Sequence, residues 1–502
     1  MYYVQELITE QPPLSPSSDT DGAADQTAVA GGASTITRHD GLPAISVRSV
    51  MAMSLPAIIE QLAQAAVGVT DTVVAGHIPG TANTVAAAAA AVGVISYLQW
   101  LSGLLNSCLG VGASAIVARS IGAKRIRVAN RVAGTAVAGA FVLSVATALL
   151  LFLFASQVCS IAGLHDQAHD FGTMYLRIMT ITIALQGAGQ IGMACLRGAG
   201  DTVRPMWITS GVTVINIITC CTLTFGLFGV PAMGIRGIAI GTMIAYLIGG
   251  LATLLLLLGG WSRLRLQLRH FRLVPHILRR LLRIGLPSWT EGMLLWLGQF
   301  LIVIFVISAN DKAVGVSGAT MAAHNAVIRI ESLAFLPGFG FGIACAALVG
   351  QCLGAGRPDE AEHAARLCNR LAVGTMTVLA IPMVLAPRFL LGLMIDSPPV
   401  VNLGVWPLVL AGLAQPGFAL SISKGSALKG AGETVWPMLA TVTGMALVRV
   451  PALLLTVYIC ARMGQPALGL LAVWVGIFLD LNYRGLVNWA AFKTGNWKTK
   501  RV

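Results

Sequence analysis

The sequence LRGAGDTV at residues 196–203 returns as LKGAGETV at residues 428–435. Further pairs of segments keep nearly the same offset: IVARSIGA at 116–123 with LVGQCLGA at 348–355, and Leu55-Pro56 and Glu60 with Leu286-Pro287 and Glu291. Similarity at a nearly constant offset indicates that one structural unit occurs twice in the chain.

The composition indicates a membrane protein. Of the 502 residues, 56% are hydrophobic and 11% are charged, whereas soluble domains contain roughly 25% charged residues. We count twelve apolar segments; at about 20 to 35 residues each, they are long enough for helices that cross a bilayer. They are also too long for the roughly 10-residue strands of a membrane barrel. The sequence therefore predicts an all-α membrane protein with twelve transmembrane helices in two pseudo-symmetric six-helix bundles.

The repeat and the distribution of charge predict five segments. We expect a disordered cytoplasmic tail at residues 1–46, because its Ser-, Asp- and Gly-rich composition offers little apolar surface to bury. The first bundle (N-lobe) spans residues 47–260, and a basic cytoplasmic linker follows at 261–284. The second bundle (C-lobe) spans 285–492, before a basic cytoplasmic tail at 493–502. Six spans per unit predict a pseudo-twofold axis along the membrane normal.

The formal net charge of +13 is concentrated in connections that lie on one side of the predicted bundle. Such asymmetry places those connections in the cytoplasm, so we expect a multi-pass protein of the cell membrane with both termini cytoplasmic. The basic segments are then expected to contact anionic membrane lipid, and no nucleic-acid partner is expected. The nine cysteines show no metal-binding spacing, so we expect no metal site. We also expect a monomer.

Ionisable residues within the apolar segments are the candidate functional residues, because a charge at membrane depth costs about 2.5–3.5 kcal/mol. In the first span, Glu60, Gln64 and Asp71 share one helical face; Glu60 and Asp71 differ by roughly 20° around the axis. Pro56 removes a backbone hydrogen bond and is a candidate hinge. This stripe suits cation binding, although either acid could instead lie near a membrane interface.

The C-lobe repeats the proline and the glutamate of the first span but not Asp71, whose repeat positions are Ile302 or Val303. The N-lobe is therefore the better candidate for cation coupling. Glu291, with Gln299 two turns later, provides a secondary C-lobe candidate.

Span 8 provides two further secondary candidates, His324 and Glu331. His324 could be a hydrogen-bonded interior residue or a proton carrier. We expect Glu331 to have a cationic partner, but Arg329 at i−2 does not face it well. In spans 11 and 12, Arg449 and Asp480 could pair across helices in a structural role.

No enzyme is predicted, because the chain contains no GxxxxGK[ST], HExxH or GxSxG motif. We expect no cofactor, and an ion gradient of H⁺ or Na⁺ as the energy source.

Four segments resemble the multidrug and toxic compound extrusion (MATE) family, and the resemblance extends over residues 48–500. They are LPAIIEQLAQAAVGVTDTVVAGHI from residue 55, RGAGDTVRP from 197, AAHNAVIRIESLAFLPGFGFGIACAALVGQCLGAGR from 322 and FKTGNWK from 492. The resemblance implies two six-helix lobes that export organic cations and other amphipathic compounds in exchange for H⁺ or Na⁺.

The family also implies site residues. Its prokaryotic members carry a functional aspartate fifteen residues after a proline in a bent first span, and Pro56 and Asp71 match that spacing. One branch adds an Asn and an Asp one turn apart in span 5 and a Thr in span 6. Asn216 and Thr242 match, whereas Cys220 stands in the place of the acid.

Together these features predict a cation-coupled antiporter that exports organic cations, drugs or toxic amphipathic compounds by alternating access. The alternative is a flippase for lipid-linked or oligosaccharide precursors of the same superfamily. A cavity lined by three or more arginines would favour that flippase, because pyrophosphate needs a strongly cationic site. A membrane-embedded enzyme would instead need a nucleophile–base pair or a metal cluster in the cavity.

Overall fold

The computed structural model describes residues 45–307, 318–463 and 466–500, and every regular element in those ranges is helical. The N-lobe comprises α1 (Val47–Gly76), α2 (Ala82–Gly122), α3 (Ile126–Leu153), α4 (Ala155–Ile161), α5 (Asp166–Gly198), α6 (Val203–Phe225) and α7 (Ile235–Gly259). The C-lobe comprises α8 (Pro275–Ile307), α9 (Ala319–Gly354), α10 (Pro358–Leu385), α11 (Pro387–Gly392), α12 (Pro398–Gly430), α13 (Val435–Gly444), α14 (Val450–Met463) and α15 (Pro466–Lys493).

The predicted helical bundle is confirmed. Within the described ranges, eleven spans are long and apolar enough to cross a membrane, the segments α13 and α14 forming one of them. Helix α8 stands where the repeat places the seventh span, and Pro287 lies inside it as Pro56 lies inside α1. With α8, the described ranges contain twelve long helical spans, six in each lobe.

Local sequence signals explain several helix boundaries. Ser46 and Ser49 form a capping box at the start of α1, and Thr81 caps α2; both satisfy backbone N–H groups that have no partner within the helix. Helix α8 begins at Pro275, inside the segment predicted as a linker, because proline is well suited to the first helical turn. The connection between the lobes is therefore shorter than expected.

The C-terminal segment packs against the bundle. Trp497 is 2% exposed and stacks on Phe492 at 4.8 Å between ring centroids. Lys498 pairs with Asp359 and Glu362 of α10, and Lys500 pairs with Glu433. The basic residues of this predicted tail thus hold it against the C-lobe. Apart from residues 45 and 46, the predicted N-terminal tail lies outside the described residues.

The two lobes meet through related helix pairs, because α2 packs on α8 while α1 packs on α9. Two glycines make reciprocal contacts at the end that carries the basic connections. A Cβ on Gly122 would collide with the carbonyl oxygen of Gln351, and a Cβ on Gly354 would collide with the carbonyl oxygen of Arg119. Gly122 and Gly354 are repeat partners, and so are Arg119 and Gln351. The interface is therefore pseudo-twofold, and it requires glycine at both positions.

We predict that Gly122→Leu pushes the lobes apart at this end, because overpacking a close contact costs about 1–3 kcal/mol. Spin labels at the exposed repeat partners Arg127 and Asp359, in a background without native cysteines, should report longer distances in this variant. Gly374→Leu is the matched control, because nothing lies within 4 Å of a Cβ at that helical position. Unchanged distances in Gly122→Leu would contradict the packing described.

Candidate functional site

A cluster of polar side chains surrounds Asp71 in the interior of the N-lobe. The Thr242 hydroxyl lies 3.0 Å from both carboxylate oxygens. The Asn216 amide donates to Oδ1 at 3.2 Å, and the Tyr175 hydroxyl donates to Oδ2 at 3.3 Å. The Cys220 thiol lies 3.6 Å from Oδ1. Four helices, α1, α5, α6 and α7, therefore contribute to one site.

The close packing of α6 on α7 brings three of these groups together. A Cβ on Gly241 would lie 2.7 Å from the backbone nitrogen of Cys220, and one on Gly237 would lie 2.5 Å from the backbone carbonyl carbon of Leu223 in α6. Because these two glycines let the backbones approach, Thr242 comes within 2.9 Å of the Asn216 amide nitrogen. The local sequence GIAIGT thus positions the hydroxyl that contacts Asp71.

The charge environment of Asp71 is unusual for a side chain that is 4% exposed. All of its hydrogen bonds come from neutral groups, and it takes part in no ion pair within the described residues. Asn216 Oδ1 is buried there without a hydrogen-bond partner among the described atoms. The site can therefore bind a cation through the Asp71 carboxylate and the oxygen atoms of Asn216 and Thr242. If Asp71 is instead protonated, Asn216 Oδ1 can accept a hydrogen bond from its hydroxyl.

Glu60 and Gln64 lie in different surroundings from Asp71, although all three belong to α1. Both line a cavity of about 510 Å³ whose other walls come from α2, α5, α6, α7, α9 and α12, so it lies between the lobes. Glu60 is 2% exposed and is paired with Arg197 at 2.5 Å. The two acids predicted to share one face of α1 thus have different surroundings. Glu60 forms an ion pair at the cavity, whereas Asp71 has no ion pair among the described residues. Helix α1 is continuous through Pro56, whose role as a hinge stays a prediction.

The Glu60–Arg197 ion pair has a counterpart in the C-lobe. Lys429 of α12 lies 2.9 Å from Glu291 of α8, and these residues are the repeat partners of Arg197 and Glu60. In each lobe an ion pair therefore links the first long helix to the fourth. The acid lies four residues after a proline in the first helix, and the cation lies in the repeated glycine motif at the end of the fourth. Gln299 is half-buried two turns beyond Glu291.

The remaining secondary candidates are buried in the C-lobe. His324 is fully buried, and its ring lies 5.6 Å from that of Trp474. Neither of its ring nitrogens has a hydrogen-bond partner among the described residues, and a role of His324 as a proton carrier stays a prediction.

Glu331 forms no direct ion pair among the described residues, and the cation that acts on its carboxylate electrostatically is Arg449. The neighbour of Glu331 is Gln415 of α12, whose amide donates to the carboxylate at 3.4 Å. Arg329 is exposed, because two residues along a helix point in different directions. The buried carboxylate is therefore met by a neutral amide.

The pairing of Arg449 with Asp480 is confirmed, at 2.7 Å. Arg484 joins the same carboxylate at 3.0 Å, and Asp480 is fully buried. Arg449 ends a π-helical turn, Met445–Arg449, between α13 and α14. Because Arg449 and Arg484 both hold Asp480, this group links the last two spans of the C-lobe.

Sequence reasoning missed Tyr175 and the two cations Arg197 and Lys429. No sequence spacing indicates Tyr175, because its hydrogen bond to Asp71 depends on how α5 packs across α1. The cations did carry one: both belong to the repeated motif, just as both glutamates belong to the repeated Leu-Pro segment. An acid and a cation that both recur at the repeat offset could have identified these two ion pairs.

Comparison with known proteins identifies the family to which this two-lobe architecture belongs. A family model described as MatE matches residues 56–222 and 287–455. The chain belongs to the MatE family. The two matched segments fall in the N-lobe and the C-lobe respectively, as the internal repeat requires, and the family expected from the sequence is confirmed.

Individual proteins similar to this MatE protein cover most of its length. It is 28% identical over 405 residues to "Multidrug resistance protein NorM" of Burkholderia vietnamiensis, covering 78% of this chain and 83% of that protein. It is 26% identical over 458 residues to "Probable multidrug resistance protein NorM" of Thermotoga maritima, covering 91% and 94%.

A solved structure has the same fold. It is described as the outward-facing conformation of a multidrug resistance MATE family transporter of the MOP superfamily, and it superimposes with a TM-score of 0.79 at 20% identity. The superposition covers 91% of this chain and 97% of the other. Together with the apolar spans, family membership identifies this MatE protein as a multi-pass membrane transporter.

We predict that Arg197→Gln destabilises the protein by about 3–5 kcal/mol, because it leaves the buried Glu60 carboxylate without a counter-charge. The double variant Glu60→Gln/Arg197→Gln should recover most of this loss, and a double-mutant cycle on thermal unfolding in detergent measures the difference. The more exposed pair Glu291–Lys429, with side chains 14% and 27% exposed, should give a smaller effect in the matched cycle. A double variant as unstable as Arg197→Gln would refute the buried ion pair.

Proposed function

We propose that this MatE protein is a cation-coupled antiporter that exports organic cations and other amphipathic compounds by alternating access. In this proposal Asp71 is the residue that exchanges H⁺ or Na⁺. The observation that carries it is a buried carboxylate, met only by neutral donors among the described residues, next to a cavity between two pseudo-symmetric lobes. The printed names of the NorM relatives support multidrug export as the transport activity.

The inter-lobe cavity suits an amphipathic organic substrate. Its volume of about 510 Å³ lies within the roughly 300–1,000 Å³ of sites for drug-sized ligands. Its walls combine aromatic side chains with neutral amides: Trp100, Tyr246, Phe339, Gln61, Gln64, Gln186 and Gln190. Aromatic faces attract organic cations, and amides orient polar groups without adding charge.

The charge of the cavity argues against a pyrophosphate flippase. Among the described residues, the lining contains one arginine, Arg197, and one lysine, Lys429, and each is paired with a glutamate. This falls short of the three arginines that would favour the flippase. The cationic residues that are present already have partners, so little positive charge remains for a pyrophosphate.

The geometry supplies a path from Asp71 to the cavity wall. Each of three helices in the Asp71 cluster contributes a cavity-lining residue one turn away: Val67 on α1, Val212 on α6 and Tyr246 on α7. Each pair of positions is four residues apart, which is about 6 Å along a helix. When a cation neutralises Asp71, the hydrogen bonds to Asn216 and Thr242 change, and the three helices carry that change into the substrate cavity.

We predict that Asp71→Asn abolishes coupled efflux of a fluorescent organic cation from proteoliposomes, because the amide cannot exchange a cation. Proton and sodium gradients are imposed and collapsed separately, so wild-type efflux identifies the coupling ion. Asp170→Asn is the matched control, since that carboxylate is 86% exposed. Undiminished coupled efflux by Asp71→Asn would refute its role, while an absence of wild-type efflux under either gradient would refute the antiporter.

We also predict that Cys220→Asp increases the sodium dependence of efflux. The substitution places a second carboxylate beside Asp71, and a site with two carboxylates and the Asn216 and Thr242 oxygens favours a metal cation with oxygen ligands. Cys220→Ser is the control, because it adds an oxygen without a charge. An identical ion dependence in the two variants would contradict this account of ion selection.

A further inference from the structure

A second cavity, which we call the C-lobe pocket, lies between α10, α12 and α15. It has a volume of about 330 Å³, and its lining includes Arg366, Arg370, Lys424, Asn369 and Trp489. It is separate from the inter-lobe cavity, since the two share no lining residue. Three cations and an amide therefore converge on a site that the transport mechanism does not use.

Lys424 is the feature that indicates a ligand. The residue is 4% exposed, and it makes no hydrogen bond or ion pair within the described part of the chain. Its ammonium lies 4.0 Å from the centroid of the Phe492 ring, a contact that offsets part of the cost of burying a charge. A buried ammonium that lacks an anionic partner is costly, so an anion in the pocket would satisfy it.

The rim of the pocket is also basic. Arg370 is exposed and forms no ion pair among the described residues, while Arg366 pairs with Glu362 at 2.9 Å. Glu362 is shared with Lys498 of the C-terminal segment, at 2.6 Å. Among the described residues, Glu362 is therefore divided between two ion pairs. It acts on Lys424 only electrostatically, so Lys424 and Arg370 have no direct carboxylate partner there.

The position of the pocket along the helices suits a lipid headgroup. Lys424 stands six residues before the end of α12, about 9 Å along the axis, at the end that carries the basic connections. Trp489 is 44% exposed and Leu486 is 60% exposed, so both face outward from the bundle. Tryptophan favours the interface between headgroups and acyl chains, and a leucine beside it suits contact with an acyl chain.

The internal repeat makes the C-lobe pocket specific to one lobe. The repeat partners of Arg366, Arg370 and Lys424 are Gly134, Ala138 and Gly192, none of which is charged. In the N-lobe a Cβ on Gly134 would collide with His270 of the linker. The linker therefore packs against the N-lobe at the place that corresponds to the C-lobe pocket. The fold therefore does not require cations at these positions.

We propose that the C-lobe pocket binds the phosphate of an anionic phospholipid, with Lys424 and Arg370 contacting the phosphate and Trp489 and Leu486 contacting the acyl chains. Basic pockets between transmembrane helices are a known mode of anionic lipid recognition. The apolar outward face beside the cations favours a lipid over a soluble phosphate.

The test is native mass spectrometry of the purified full chain in detergent, titrated with phosphatidylglycerol or with phosphatidylcholine of the same acyl chains. The wild type should bind phosphatidylglycerol more tightly. Arg370→Gln/Lys424→Gln should lower that affinity about 30-fold, at about 1 kcal/mol for each cation removed, and leave phosphatidylcholine binding unchanged. Arg366→Gln/Arg370→Gln changes only exposed residues and provides a second test that does not depend on folding without Lys424.

Arg125→Gln/Arg127→Gln is the matched control, because it removes two exposed arginines at the corresponding end of the N-lobe; phosphatidylglycerol affinity should stay at the wild-type value. Equal affinities of the wild type for the two lipids would overturn the proposal, as would wild-type affinity in both pocket variants. Competition by inorganic phosphate at the same concentration as the lipid would assign the pocket to a soluble anion and would also overturn it.

Discussion

The structure depends on a buried carboxylate that has no cationic partner within the described residues. Asp71 is held in the N-lobe interior by a hydroxyl, an amide, a phenol and a thiol, all neutral. A charged group in such a place is costly, so in the proposed mechanism binding a cation there stabilises one arrangement of α1, α6 and α7 over another. The same three helices form part of the cavity between the lobes, so in the proposed mechanism the charge at Asp71 controls the shape of that cavity.

Duplication explains the scaffold, and the departures from duplication explain the specialisation. The two lobes share interface glycines, helix pairing and an ion pair between their first and fourth long helices, all preserved at a nearly constant offset. The repeat positions of Asp71 in the C-lobe are the apolar Ile302 or Val303, and the repeat position of Lys424 in the N-lobe is Gly192. A symmetric frame thus carries the proposed cation site in one half and a basic surface pocket in the other.

Much of the fold could be predicted from the sequence, because length and apolarity decide a membrane helix without reference to its neighbours. Asp71, Asn216 and Thr242 were also predictable, since the family resemblance supplied their spacing and the structure brings them together. Tyr175 could not be found, because its contact arises only when α5 packs across α1. Glu60 was grouped with Asp71 by helical periodicity, which reports a shared face but not a counter-ion 137 residues away.

The most direct test of the central claim is cation exchange at equilibrium, without transport. Purified protein in weakly buffered detergent solution receives a fluorescent organic cation that it binds, while a pH indicator and a sodium electrode record what is released. The account predicts that substrate binding releases H⁺ or Na⁺ from the wild type and neither ion from Asp71→Asn. Equal release from the two proteins would contradict it.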